Sequence, residues 1–268
     1  MTRPDFVIIG AMKCGTSTLA AQLSAQEGVF VTTPKEPNFF SDDPVYAKGM
    51  GWYESLYDAA APGDLKGEAS THYAKSPTWP NAAERLHAAA PGAKLIYLMR
   101  DPVARLVSHY IHEWTMGKVP AGGIETALET MPELIDYSRY AMQAAPWRAR
   151  FGDGNLLLLR LEDMNRDPQG TLDRVGAFLG RPGAFRWAED LGAQNVSAER
   201  IRRFPLYDLV IEHPAAAWLR RTLVPQSLRD AVKGRLRMRE RPSLDDAARA
   251  RIEALLAEDI AFWRAAAG

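Results

Sequence analysis

The feature that most constrains this chain is its opening run, Phe6-Val-Ile-Ile-Gly-Ala-Met-Lys-Cys-Gly-Thr-Ser17. Phe6–Ile9 is apolar and rich in Val and Ile, so it reads as a buried strand. A loop with glycines at 10 and 15 follows. Thr16–Gln26 then has helical spacing, with Leu19 and Leu23 at i and i+4. A strand that runs through a glycine loop into a helix turns backbone N–H groups and the positive end of the helix dipole toward an anion. The alternation continues down the chain. Lys94–Met99 is a second buried strand, and it ends at Arg100-Asp101-Pro102, where Asp caps and Pro opens a helix over Val103–Thr115. Asn155–Leu161 is a third strand, followed by Glu162-Asp163 and a helix near Gln169–Leu179 closed by Gly180 and Pro182. Further helices are expected over Ala82–Ala90, Ser138–Arg150 and Leu244–Ala265. Strands alternating with helices imply an α/β fold, a P-loop-like central parallel sheet flanked by helices. Ligands of such sheets bind beyond the carboxyl ends of the strands, where both the glycine loop and Arg100 lie.

The 268 residues suffice for one large domain, expected to span residues 1–268. Residues 181–243 are irregular and carry Pro182, Pro205, Pro214, Pro225 and Pro242. A lid over substrate and cofactor is expected there. Lys+Arg and Asp+Glu are both 33, so the formal net charge is zero. That balance argues against a nucleic-acid partner or a membrane-surface coat. An anionic ligand must be met by local basic residues. The single cysteine, Cys14, excludes an intramolecular disulfide and a cysteine-cluster metal site. No stretch approaches the ~18 apolar residues of a membrane helix, and the N-terminal apolar run is too short for a signal peptide. The expectation is a cytoplasmic protein with no membrane span.

The loop Gly10-Ala-Met-Lys13-Cys14-Gly15-Thr16-Ser17 almost fits the NTPase pattern G-x-x-x-x-G-K-[ST]. Thr16 stands where that pattern has its lysine, and the loop lysine is Lys13, ahead of the second glycine. In an NTPase the lysine reaches the β- and γ-phosphates and the Ser/Thr holds magnesium. A lysine moved into the loop suits a shorter anion, one phosphate with one group attached. The N–H groups of residues 14–17 would still cradle that phosphate. The glycines alone are also consistent with a structural turn beside a surface lysine. The complete string K-C-G-T-S-T after a strand argues against that.

With four later segments in the same order, this loop resembles the sulfotransferases that depend on 3′-phosphoadenylyl sulfate (PAPS), in particular the heparan-sulfate branch and its small bacterial relatives. Lys35-Glu36-Pro37-Asn38-Phe39-Phe40 looks like the K-E-x-x-F-F segment with that branch's catalytic glutamate. Gly51-Trp52-Tyr53 matches a G-W-Y that follows it. Arg100-Asp101-Pro102 with Ser108 looks like the 3′-phosphate motif, and Glu162-Asp163 through Phe178-Leu179-Gly180 resembles the family's strand–helix unit. The resemblance implies a sulfotransferase fold and a nucleotide-binding transferase that leaves adenosine 3′,5′-bisphosphate (PAP) as product. Lys13 would contact the bridging oxygen and the 5′-phosphate. Cys14, Gly15, Thr16, Ser17 and Thr18 would donate to that phosphate, Arg100 and Ser108 would bind the 3′-phosphate, and Glu36 would be the general base. No metal is required. The family's K-G-R-x-x-P loop, aligned on Pro242, falls on Arg237 and Arg239, which the resemblance implies close over the cofactor phosphates; Lys233-Gly234-Arg235 just upstream is the other candidate. Two departures stand out. The lysine of E-K-T-P-x-Y is lost, because the segment here is Glu68-Ala69-Ser70-Thr71-His72-Tyr73. The family's C-terminal disulfide cannot form. The first departure counts against a polyanionic glycosaminoglycan as acceptor.

Residue chemistry agrees with these roles. A fixed cation such as Lys13 stabilises charge growing on the leaving oxygen, and a positioned carboxylate that removes an alcohol's proton is worth roughly 10²–10⁴ in rate. Pro37 disfavours the helical region for Glu36, which places Glu36 on extended chain. Arg100 can meet a phosphate with a two-pronged hydrogen bond. Ser108 lies eight residues on, about 80° around a helix. Each residue has a plainer reading too. Glu36 could be a surface carboxylate in a proline turn, Arg100-Asp101 a capping salt bridge, Ser108 an ordinary helix serine. His72 is a candidate acceptor-site or second acid/base group, or a packed histidine. Trp52 and Tyr53 could stack on the acceptor or belong to the core. His109 and His112, spaced i and i+3, read as helix-surface residues. Cys14, at a helix N-terminus, gains thiolate character. The acceptor is expected to be a small molecule or carbohydrate, a lipid or a secondary metabolite, reacting through a hydroxyl or an amine. A kinase or NTPase is a competing reading and predicts magnesium-dependent ATP binding. A non-catalytic PAP-binding module is another.

Overall fold

The computed structural model describes residues 3–120, 122–191 and 242–267. Five strands form one parallel sheet: β1 (Phe6–Gly10), β2 (Val29–Val31), β3 (Leu65–Ala69), β4 (Lys94–Met99) and β5 (Leu156–Arg160), in the order β2-β3-β1-β4-β5. Parallel strands are covered on both faces, and so are these. Every residue of β1 is buried, and Leu95–Met99 of β4 are fully so. The helices are α1 (Thr16–Ser24), α2 (Asp43–Tyr46), α3 (Met50–Ser55), α4 (Ala82–Ala89), α5 (Pro102–Thr115), α6 (Gly123–Thr130), α7 (Glu133–Asp136), α8 (Tyr140–Phe151), α9 (Leu161–Arg166), α10 (Pro168–Phe178), α11 (Asp246–Leu255) and α12 (Ala257–Ala265).

The expected α/β architecture is present, and three strands and most long helices lie within a few residues of their expected bounds. Two strands were not foreseen. β2 is three residues long, and β3, Leu-Lys-Gly-Glu-Ala, carries two charged residues and a glycine. Gly67 is there for space. A Cβ at that position would collide with the Phe6 ring, which lies across the strand. The expected helix over Leu244–Ala265 is two helices, broken at the fully buried Leu256. The break lets Asp259 of α12 accept from Ala141 N (2.9 Å) and satisfy an amide at the start of α8. Asn155 belongs to a 3-10 turn, and Leu161 opens α9 and not the end of a strand.

α5 is held by an arginine. Arg105 is fully buried, and its guanidinium donates to Ser138 Oγ and to the Leu134 carbonyl, both at 2.6 Å. Ser138 Oγ in turn donates to the Pro102 carbonyl at 3.0 Å. The apolar face of α5 (Leu106, Tyr110, Ile111) packs with Ile124, Leu134, Ile252 and Leu256 in a second core beside the sheet. These contacts fix the helix that follows β4, and with it the position of Ser108. Most of the expected lid, residues 192–241, lies outside the described residues.

Gly67→Ala should cost about 1–3 kcal/mol of stability in chemical denaturation, the usual penalty for overpacking. Phe6→Leu in the same chain should recover part of that loss.

Candidate active site

All five strand ends open onto the same edge. β1 leads into the loop of residues 11–15, which delivers the chain to α1. Gly15 sits at φ 87°, and a Cβ there would come within 2.7 Å of Leu161 Cδ1. Glycine is therefore needed both for the turn and for the approach of α9. The N-terminus of α1 has no side-chain cap and no acidic residue in its first turn. Such an end leaves backbone donors and dipole for an anion. Thr16 and Thr18 are buried, while Lys13 and Ser17 are half-buried. Cys14 departs from expectation twice. Its amide turns back onto the Ala11 carbonyl (3.3 Å), which withdraws it from the set of phosphate donors. Its thiol is buried, lies 3.6 Å from Tyr140 Oη, and is pushed up to about 11 by burial, so it carries no thiolate character.

The segment after β2 brings Glu36 to this loop. Glu36 N donates to the Ala69 carbonyl (3.0 Å), which pins the segment to the end of β3. The expectation of extended chain at Glu36 is not met: its φ is 60°, in the left-handed region. Pro37 disfavours the right-handed helical region, and the bond to Ala69 accompanies the left-handed conformation that Glu36 adopts instead. Lys13 (70°), Glu36 (60°) and Asn38 (53°) are the only non-glycine residues of positive φ among the described residues. Each costs on the order of 1–3 kcal/mol, and all three cluster here, as strain does at functional sites.

Lys35 ties the two segments together. Its Nζ donates to Ser17 Oγ at 3.1 Å and to Glu36 Oε1 at 2.9 Å. Sequence reasoning gave Lys35 no role. Its place beside Glu36 in the K-E-x-x-F-F string was the only available signal. Thr71 Oγ1 donates to Glu36 Oε2 at 3.3 Å from the 3-10 turn Thr71–Ala74 that follows β3. Burial pushes the Glu36 carboxyl up, but the Lys35 ammonium in contact with it, with help from Lys75 and His72, holds it below the usual carboxylate range. Glu36 is therefore an ionised carboxylate at neutral pH, about one-third exposed.

The same turn carries His72. Its Nδ1 is paired with Asp42 Oδ1 at 2.9 Å, and its ring stacks on Trp79 (5.1 Å, 10°). It is half-buried and close enough for its charge to act on Glu36. Trp52 and Tyr53 separate from it. Tyr53 is fully buried and donates to Glu68 Oε1 at 2.8 Å, so it is a core residue and not an acceptor contact. Trp52 stacks on Phe39 (5.9 Å, 30°) under Lys48 (4.3 Å), a packing role as well. His109 also departs from expectation. It is buried and stacked on Tyr137 (5.5 Å, 19°), and burial pulls it down to about 4. Its Nε2 lies 3.5 Å from Glu113.

Glu68 was quoted in the sequence without a role. It is fully buried, and Tyr53 Oη, Tyr73 Oη and Ser70 Oγ all donate to it at 2.8–2.9 Å. Burial, only partly offset by those hydroxyls, pushes it up to about 7. This cage anchors the turn that presents Thr71 and His72.

On the far side of the loop, Arg100 ends β4. Its peptide is bracketed by Tyr140 Oη, which donates to the Arg100 carbonyl at 2.8 Å, and its charge is felt at Cys14 in the glycine loop. Asp101 caps α5 by accepting from Ala104 N (2.8 Å). Ser108 is half-buried further along α5. Glu162 accepts from Asp101 N (2.9 Å) and from Trp263 Nε1 (3.3 Å), and Asp163 clamps Arg160, so this acidic pair is structural. Arg237 and Arg239 lie outside the described residues. Pro242, Ser243 and Arg249 line a cleft against Asp101 and Ala104. Among the described residues no His/Cys/Asp/Glu group could hold a metal ion, and no helix is long and apolar enough to cross a membrane.

The sequence matches the family model described as "Sulfotransferase domain" over residues 3–214. It is 34% identical over 194 residues to heparan sulfate glucosamine 3-O-sulfotransferase 3B1 of Mus musculus, covering 66% of this chain and 46% of that protein. It is 28% identical over 208 residues to bifunctional heparan sulfate N-deacetylase/N-sulfotransferase 4 of the same species, covering 70% and 23%. The chain thus spans about half the length, or less, of these curated relatives. Among solved structures it is similar to a sulfotransferase from Alicyclobacillus acidocaldarius, with TM-score 0.63 and 24% identity over 98% of this chain and 100% of that one. A sulfotransferase domain from the curacin biosynthetic pathway gives TM-score 0.54 and 18% identity over 96% and 98%. Both are likenesses of fold.

Glu68 binds a proton in the fold that the unfolded chain releases between its usual 4.5 and about 7. Stability should therefore fall as pH rises through that window, by on the order of 3 kcal/mol. Glu68→Gln should remove this component when unfolding is compared at pH values on either side of it. Identical pH dependence in the two proteins would contradict the assignment.

Proposed function

We propose, on the premise that the chain belongs to the sulfotransferase domain family, that it transfers the sulfonyl group of PAPS to an acceptor hydroxyl or amine. The observation that carries this reading is the bridge from Ser17 through Lys35 to Glu36, which joins an ionised carboxylate to the first turn of the helix that follows the glycine loop. The residues present fit the donor. α1 offers an uncapped N-terminus, the loop is closed by a glycine whose Cβ would have no room, and Arg100 stands beside it for a second phosphate. When bound, PAPS supplies a sulfonyl group on a 5′-phosphate leaving group. Ser17, Thr16 and the amides of the first turn of α1 hold that phosphate. Lys13 stabilises the charge that gathers on the leaving oxygen, and Arg100 with Ser108 takes the 3′-phosphate. Glu36 receives the acceptor's proton. Lys35 keeps Glu36 ionised, and the bonds from Lys35 and Thr71 hold its carboxylate in place.

The acceptor is read as a small molecule or a carbohydrate. The two relatives named above carry O- and N-sulfotransferase in their names, so the likeness does not choose between oxygen and nitrogen.

Glu36→Gln should lower PAPS turnover by roughly 10²–10⁴-fold while calorimetry with PAP shows nearly unchanged affinity. Loss of PAP binding in that variant would instead make Glu36 structural. Lys35→Met removes the cation that favours the ionised carboxylate, so the acidic limb of kcat/KM should move to higher pH. A limb that stays in place would show that Lys35 does not control the base.

A further inference from the structure

Lys75 ends the turn that carries Thr71 and His72, and it is a buried ammonium, 8% exposed. Charged and titratable groups face it from every element packed around it. Glu36 faces it from the segment after β2, Asp42 from the start of α2, and Arg105, His109 and Glu113 from α5. His72 lies on its own turn, and the Tyr137 ring lies 5.8 Å from Nζ. Among the described residues none of these makes an ion pair or a hydrogen bond with Nζ. Burying a cation with only an aromatic ring nearby and no anion or hydrogen-bond acceptor against it is costly, and such groups mark sites where a ligand completes the pairing. Because Thr71 of the same short turn donates to Glu36, the cation and the base are fixed relative to one another.

Resting on the sulfonyl-transfer reading above, we propose that Lys75 is a further catalytic residue on the acceptor side. Its ammonium contacts the attacking oxygen while Glu36 takes that oxygen's proton, and this commits the site to hydroxyl and not amine acceptors. In that step an acceptor O–S bond forms as the S–O bond to the 5′-phosphate breaks. The proton goes to Glu36, and the bonding electron pair leaves on the phosphate oxygen. As the O–H bond weakens, negative charge gathers on the acceptor oxygen, where a fixed cation stabilises it. An amine behaves oppositely. Its nitrogen becomes positive as it bonds to sulfur, and a neighbouring ammonium opposes that charge. Burial pulls Lys75 down to about 8, so its charge is present at neutral pH and lost as pH rises through that value. The rate should therefore show a basic limb near there.

The test follows PAP release from PAPS across neutral and alkaline pH. The acceptors are water, methanol and methoxyamine, the last being an amine that is uncharged at neutral pH. Wild type, Lys75→Met and Lys75→Arg are compared, with PAP affinity measured for each. The expected results are a basic limb in the wild type, a loss of roughly 10²-fold in Lys75→Met, and retention of activity in Lys75→Arg with the limb moved upward. PAP affinity should be the same in all three, and methyl sulfate should form in preference to the N-sulfonated product. A Lys75→Met enzyme as fast as the wild type across that range, or preferential sulfonation of methoxyamine, overturns the proposal. Failure of the wild type to bind PAP would instead sink the sulfonyl-transfer reading, and this inference with it.

Discussion

One ammonium joins the two halves of the site. Lys35 Nζ is bonded both to the Ser17 hydroxyl in the first turn of α1 and to the carboxylate of the proposed base. Without it, Glu36 would be a partly buried acid pushed toward its neutral form, and the loop would be an anion site with nothing opposite. With it, the carboxylate stays charged and stands against the point where a leaving phosphate would be held. Three residues in left-handed backbone, Lys13, Glu36 and Asn38, flank this bridge. The fold sustains that strain because β3 pins Glu36 through a backbone bond to Ala69 and because Lys35 and Thr71 grip its side chain.

The bridge in turn depends on β3 and the turn after it. Gly67 lets Phe6 lie across β3, and Glu68 closes the strand in a cage of three hydroxyls. The turn that leaves this cage carries Thr71, His72 and Lys75 toward the base. A buried carboxyl away from the proposed base thereby sets the position of the turn that contacts it. On the opposite side, Arg105 and the Asp101 cap hold α5, which carries Ser108.

Much of this was legible in the sequence. The apolar runs of β1, β4 and β5 identified a parallel sheet, and the glycine loop was placed at its carboxyl edge, where the structure has it. β3 was hidden because its pattern is broken by a glycine needed for space and by a glutamate whose burial is compensated by tyrosines distant in sequence. Lys35 and Lys75 were hidden for a related reason. A lysine's meaning comes from what surrounds its Nζ, and those neighbours arrive from α1, the segment after β2, the start of α2 and α5. His109 was misread and Tyr53 left open by the same measure, since local spacing does not reveal that Tyr137 and Glu68 enclose them. The thiol of Cys14 shows the opposite case, where burial overrides the dipole that its position at a helix start suggests.

The central claim is that the loop around Lys13 and Gly15, with Arg100 beside it, is built for a 5′-phosphate and a second phosphate and not for a magnesium-bound triphosphate. The most direct measurement is isothermal titration calorimetry of the protein with PAP in the presence of a chelator, set against ATP with magnesium. The account predicts saturable one-to-one binding of PAP without metal, weakened by Lys13→Ala and by Arg100→Ala, and much weaker binding of magnesium ATP. Tight, magnesium-dependent ATP binding with no PAP binding would contradict it.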